Sequence, residues 1–132
     1  MERTLKYLYW LNAVLLSTHE VDAAYWKEWD LFHLPGALTG FLLLHVALFA
    51  LAFWGYEQVV RGRRAGWWMS LTLAVMGIFG LAIHGILLLK GYPQFKIPVS
   101  IIVLIIAGAV SIVQAVVAIY VIRKSYESVR HA

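Results

Sequence analysis

Three ionisable side chains, His19, Glu20 and Asp22, follow a run from Tyr7 to Ser17 that carries no charge. That run is too short to cross a bilayer unless the helix continues through them, since a span needs about 20 apolar residues. The helix would then carry a histidine and two carboxylates to membrane depth. Each ionised group costs about 2.5–3.5 kcal/mol there on insertion scales, and such groups usually mark a proton path, a ligand site or a reaction. A histidine with a carboxylate one helical turn away suits general acid and base work, because the carboxylate fixes the imidazole tautomer and supports its charged form. His19, Glu20 and Asp22 are therefore the candidate catalytic residues.

At about 100° per residue, Asn12, His19 and Trp26 stack two turns apart on one face, with Asp22 beside His19. Glu20 points about a quarter turn away, toward the side of the same cavity or toward a neighbouring helix. Two more histidines, His45 and His84, lie in apolar segments. His19 is seven residues before Trp26, His45 ten after Pro35 and His84 six before Lys90. At about 1.5 Å per residue, all three fall roughly 9–15 Å below the outer surface and share one layer. Asn12, Trp26, His45 and His84 are thus candidates for a ligand pocket. His19, His45 and His84 form a candidate set for a divalent metal such as Zn²⁺, Fe²⁺ or Mn²⁺. No HExxH or repeated ExxH spacing accompanies them. Axial haem ligation by two facing histidines is the weaker alternative, with no attachment motif behind it. The sequence has no cysteine, which excludes disulfides, thiolate metal sites and a cysteine nucleophile.

Each residue also has a plainer reading. A histidine on an apolar helix, such as His45, commonly just satisfies its own hydrogen bonds. Gly77 and Gly80 share a face with His84 and read first as a packing stripe that admits a neighbouring helix. Trp26, Trp29, Trp67 and Trp68 suit the headgroup belt, and Lys27, Glu28 and Asp30 read as solvated. Ser111 and Gln114 are candidates for hydrogen bonds between helices. The cluster at residues 19–22 fits the plain reading least, since a single buried ion pair would serve architecture.

The elements that must position these residues follow from composition and hydropathy. The 132 residues allow one domain, and 62% hydrophobic with 14% charged content departs from a soluble chain with about 25% charged residues. Mean hydropathy is +0.77. The expected fold is all-α, a polytopic membrane protein forming an antiparallel four-helix transmembrane bundle, with spans at about 5–29, 35–59, 67–89 and 97–122. The first segment reads as a retained span, because it runs into charged residues and tryptophans where a signal peptide would place a small-residue cleavage site. Leu34-Pro35-Gly36 reads as a turn and the start of the second span. Arg61 to Gly66 reads as a basic hairpin, and Lys90 to Lys96 as a loop.

Four spans put both termini on one side. That side holds Arg3, Lys6, Arg61, Arg63, Arg64, Arg123, Lys124 and Arg130, against Lys27, Lys90 and Lys96 on the other. The excess predicts cytoplasmic termini. The net charge of +4 comes mostly from these short flanks, so it reports orientation in a lipid bilayer and points to no nucleic acid partner.

The run Thr18-His19-Glu20-Val21-Asp22, with Tyr25-Trp26-Lys27-Glu28-Trp29 and Leu34-Pro35-Gly36, resembles the signature of a family of small uncharacterised bacterial four-span membrane proteins. The resemblance covers roughly the first third of the chain. It implies a bacterial inner-membrane location and brings no known reaction.

The expected function is an intramembrane His/Glu/Asp pocket near the outer leaflet. It would bind a small lipid-soluble molecule and modify it by acid/base or metal-assisted chemistry. The same groups would also serve a small transporter, proton-relay or channel subunit. They would equally serve an accessory subunit, assembled as a homo-oligomer or with a partner membrane protein.

Overall fold

The computed structural model describes residues 1–92 and 97–130. Among the described residues it is all-helical: α1 (Glu2–Tyr25), α2 (Glu28–Leu31), α3 (Ala37–Val60), α4 (Arg64–Leu89) and α5 (Pro98–Arg130). Three stretches, Ala37–Val60, Arg64–Leu89 and Pro98–Glu127, are long and apolar enough to cross a membrane, which marks a membrane-embedded protein. With 24 residues, α1 reaches about 36 Å, but its polar residues keep it out of that apolar group.

The segment expected as one span over 5–29 is two helices. α1 stops at Tyr25, and Lys27 takes a left-handed conformation with φ 53° before α2 begins. A left-handed residue cannot continue a right-handed helix, so the chain changes direction there. The second long helix begins at Ala37 rather than Pro35, because Gly36 sits at φ 82° as its N-cap. α5 continues past Arg123-Lys124 to Arg130. Of the expected 90–96 loop, Pro93 to Lys96 lie outside the described residues.

α4 packs along both α3 and α5, and α1 packs along α5. Small residues set the closest approaches. A Cβ on Gly66 would strike the backbone of Gln58 and Val59, so the α3–α4 hairpin closes tightly. A Cβ on Gly77 would strike the Ser111 hydroxyl, which seats α4 on α5. The apolar core gathers Tyr9, Val59 and Leu73 with Ala13, Leu16, Tyr56 and Met69. Within it the Tyr9 hydroxyl donates to the Ala52 carbonyl at 2.9 Å. Large apolar side chains also point outward, among them Leu43, Phe53, Phe79 and Val116, and on α1 Tyr7, Val14 and Val21.

A fully buried polar layer joins three helices. Asn12 Nδ2 donates to Gln114 Oε1 at 2.8 Å, and Ser111 Oγ donates to Asn12 Oδ1 at 3.1 Å. Gln114 Nε2 in turn donates to the carbonyl and the hydroxyl of Ser70, both at 2.9 Å. Every member therefore has a partner, and a buried polar group is tolerated on that condition.

Candidate functional site

Beside this layer and extending beyond it, α1, α3 and α4 enclose a cavity of about 150 Å³. Its walls are mostly apolar, with Leu48, Phe49, Leu73 and Met76 among them, and its polar lining includes His19, Glu20, Glu28, His45 and His84. Leu51, Thr72 and Met76 line the cavity and are also exposed on the outside. It therefore opens sideways, between α3 and α4.

The two histidines on α3 and α4 are held alike. His45 Nδ1 lies 2.7 Å from the Phe41 carbonyl and His84 Nδ1 lies 2.8 Å from the Gly80 carbonyl, each one turn back along its own helix. A carbonyl only accepts, so each Nδ1 carries a hydrogen and donates it. Each Nε2 then faces a carboxylate. His45 Nε2 is 2.7 Å from Glu20 Oε2, and His84 Nε2 is 3.2 Å and 3.3 Å from the two Glu28 oxygens. With Nδ1 committed, each pair holds one shared proton. Either the imidazolium donates to the carboxylate or the carboxylic acid donates to the imidazole. Phe41 also stacks on the His45 ring with centroids 3.9 Å apart, which fixes its plane.

His19 meets His84 edge to face, with ring centroids 4.5 Å apart and planes at 87°. Glu20, Glu28 and Asp22 lie within electrostatic reach of it. Asp22, His19 and His84 also line a second cavity of about 10 Å³ beside α5, together with Ser100 and Leu104. Among the described residues, the Ser100 hydroxyl buried there has no hydrogen-bond partner.

The structure thus brings His19, Glu20, His45 and His84 around one cavity and places Asp22 on its far side, against His19. Asn12 lies elsewhere. It shares the inward face of α1 but is spent in the polar layer and does not line the cavity. Trp26 packs edge-on against Tyr25, and its buried indole nitrogen has no hydrogen-bond partner among the described residues. Of the three histidines expected to share a metal, His19 and His84 bring donor atoms together with Glu28 among the described residues, while His45 turns to Glu20.

Glu28 was the residue hidden from the sequence. It reads as solvated, yet it is only 6% exposed. On an unbroken helix it would sit nine residues beyond His19, about half a turn round on the opposite face. The left-handed Lys27 redirects it inward. Lys27 and Asp30 on either side are exposed, as expected. Gly80 differs from the expected packing stripe too: a Cβ there meets nothing within 4 Å, and the residue lines the cavity.

The family model described as a family of unknown function, DUF6713, matches residues 5–121. No curated protein and no solved structure matches the chain.

Proposed function

The chain belongs to the family of unknown function DUF6713, and from its own geometry we propose a four-span membrane protein that takes up a lipid-soluble small molecule and moves a proton at its polar end. The observation that carries this reading is the pair of matched His–Glu couples, each with Nδ1 committed to a carbonyl, both lining one apolar cavity. A proton shared between imidazole and carboxylate is ready for transfer in either direction, so one couple can act as acid while the other acts as base.

The size of the cavity limits what enters. A volume of about 150 Å³ accommodates something on the scale of a benzene ring. The ligand would place a ring or short branched head inside and leave its remaining apolar portion in the sideways opening. A hydroxyl or carbonyl on that head would meet the couples. The opening between α3 and α4 favours entry from lipid. The relay alternative has less support, because the adjoining polar layer is made only of amides and hydroxyls and contains no titratable group to pass a proton on.

In this reading α1 is the fourth span. Its outward Tyr7, Val14 and Val21 would face lipid, and its inward polar residues would be covered by α3, α4 and α5. The excess of Lys and Arg on the side of the termini would orient the chain with both ends in the cytoplasm of a bacterial inner membrane.

The test is solvent extraction of the detergent-purified protein followed by mass spectrometry of the extract. The parent should release an amphipathic molecule that Gly80→Leu, whose new side chain fills the cavity, does not carry. Glu20→Gln should retain the molecule but stop its conversion. Identical extracts from parent and Gly80→Leu would reject the pocket.

A further inference from the structure

We propose that His19, Glu28 and His84 bind one divalent transition-metal ion of the Zn²⁺ or Fe²⁺ class, with a coordination position open to the apolar cavity. All three residues are buried, and one donor atom from each lies within 4.8 Å of the others. The separation of His84 Nε2 from the Glu28 oxygens, 3.2 Å and 3.3 Å, is already that of two ligands on one metal. With metal–ligand bonds of about 2.0 Å, the edge of a coordination tetrahedron is about 3.3 Å. A donor atom of His19 lies within 4.8 Å of both and supplies the third ligand.

The support around the ligands agrees. A metal-binding imidazole usually donates its other N–H to a carbonyl or carboxylate, which fixes the tautomer, and His84 Nδ1 does this to the Gly80 carbonyl. Charge points the same way. Glu20, Glu28 and Asp22 surround His19, and neither the large nor the small cavity is lined by Lys or Arg. Of the three carboxylates Glu28 is buried, and a buried charge is retained where it is paired or coordinates a metal. Two imidazoles with one carboxylate form a borderline N/O donor set. It suits Zn²⁺ in open catalytic sites or Fe²⁺ in two-histidine, one-carboxylate sites, rather than Ca²⁺ or Mg²⁺. All three ligands line the larger cavity, so the open position faces whatever enters it.

Metal and proton compete for the same atoms. Binding M²⁺ displaces the proton shared by His84 and Glu28, forms the metal–Nε2 and metal–carboxylate bonds, and releases H⁺ to solvent. The His45–Glu20 couple is left intact, and in the metal-loaded protein it alone carries the proton transfer that the metal-free protein divides between two couples. The metal site goes beyond the ligand reading and does not depend on it, because it is tested with metal alone.

The experiment strips the full-length protein in detergent with a chelator and titrates it with Co²⁺, then with Zn²⁺, with no organic ligand added. The expected result is one equivalent of Co²⁺ with the visible absorption of a four-coordinate ion, displaced by Zn²⁺, and proton release on binding. Glu28→Gln and His19→Gln should each weaken affinity by more than about 100-fold, beyond the usual cost of losing a mere supporting partner. Changing the exposed His33 to Gln should leave it unaltered. X-ray absorption of the loaded parent, which needs no variant, should read two imidazole nitrogens and a carboxylate oxygen. Absence of uptake, uptake that survives Glu28→Gln, or a metal shell without imidazole would each overturn the proposal. If metal binds while the extracts of parent and Gly80→Leu are identical, the site stands and the lipid-soluble ligand falls.

Discussion

Glu28 lies against His84, with both carboxylate oxygens within 3.3 Å of Nε2, although 56 residues separate them and Glu28 follows the long helix α1 rather than belonging to it. Both side chains are less than a tenth exposed. The contact depends on a single backbone conformation, the left-handed Lys27, which ends α1 one turn short and swings α2 across the top of the cavity.

The first prediction uses the asymmetric cost of buried ion pairs. Glu28→Leu removes one partner and should destabilise the protein by about 3–5 kcal/mol, whereas Glu28→Leu combined with His84→Leu should recover most of the loss. Thermal unfolding of the metal-free protein in detergent gives both values. A double variant as unstable as the single one would show that the couple does not act as a pair.

The second concerns the polar layer. Asn12→Leu strands Gln114 Oε1 and leaves the Ser111 hydroxyl without its acceptor, and stranded buried groups cost about 1–3 kcal/mol. Hydrogen bonds between membrane helices average nearer 0.6 kcal/mol, so the expected loss lies at the lower end, about 1 kcal/mol. Denaturant unfolding in mixed micelles would measure it. Metal uptake should be unchanged, since Asn12 lines neither cavity.

The third separates two glycines three residues apart. Gly77→Ala forces a methyl group onto Ser111 and should lower the melting temperature clearly. Gly80→Ala meets open space and should raise the melting temperature by a few degrees, because the helix-propensity gain of about 1 kcal/mol is not offset by a clash. The same methyl intrudes on the cavity, so Gly80→Ala should reduce the amount of extractable ligand.

The fourth is topological. A reporter fused at the C-terminus should be active only in the cytoplasm, and one inserted after Lys90 only outside. The reverse pattern would reject the orientation drawn from the Lys and Arg count.

The fifth concerns Ser100, whose buried hydroxyl has no partner among the described residues. Ser100→Ala removes an unsatisfied polar group and should stabilise the protein by about 1 kcal/mol. A loss of stability instead would mean that a water in the small cavity bridges Ser100 to its neighbours, which a volume of about 10 Å³ barely permits.

Much of this was readable from residue spacing. Long uncharged runs bounded by basic turns gave α3, α4 and the apolar part of α5, because length and hydropathy suffice for such helices. The shared inward face of Asn12 and His19 followed from their seven-residue interval. Other features needed distances between helices. Spacing shows that Glu20 points away from His19 but not that His45 waits there. It shows that Asn12 faces inward but not that Gln114 takes it before the cavity does. The break at Lys27 was hidden because lysine has no marked preference for a left-handed conformation, unlike the Gly36 that starts α3. Once the break was missed, Glu28 fell on the wrong face.

Asn12 and Gly77 both meet Ser111, and this fixes a common zero mark on α1 and α4. Seven residues further along each helix stand His19 and His84, two turns or about 10.5 Å higher. The histidines meet because both intervals have the same length. Insertion of one residue between Asn12 and His19, or between Gly77 and His84, would turn one imidazole away by about 100° and separate the pair without disturbing hydropathy. Insertions in the exposed Arg61–Arg63 turn would leave both intervals intact. The chain should therefore tolerate added length in its basic hairpin and none within these two stretches, however apolar the added residue.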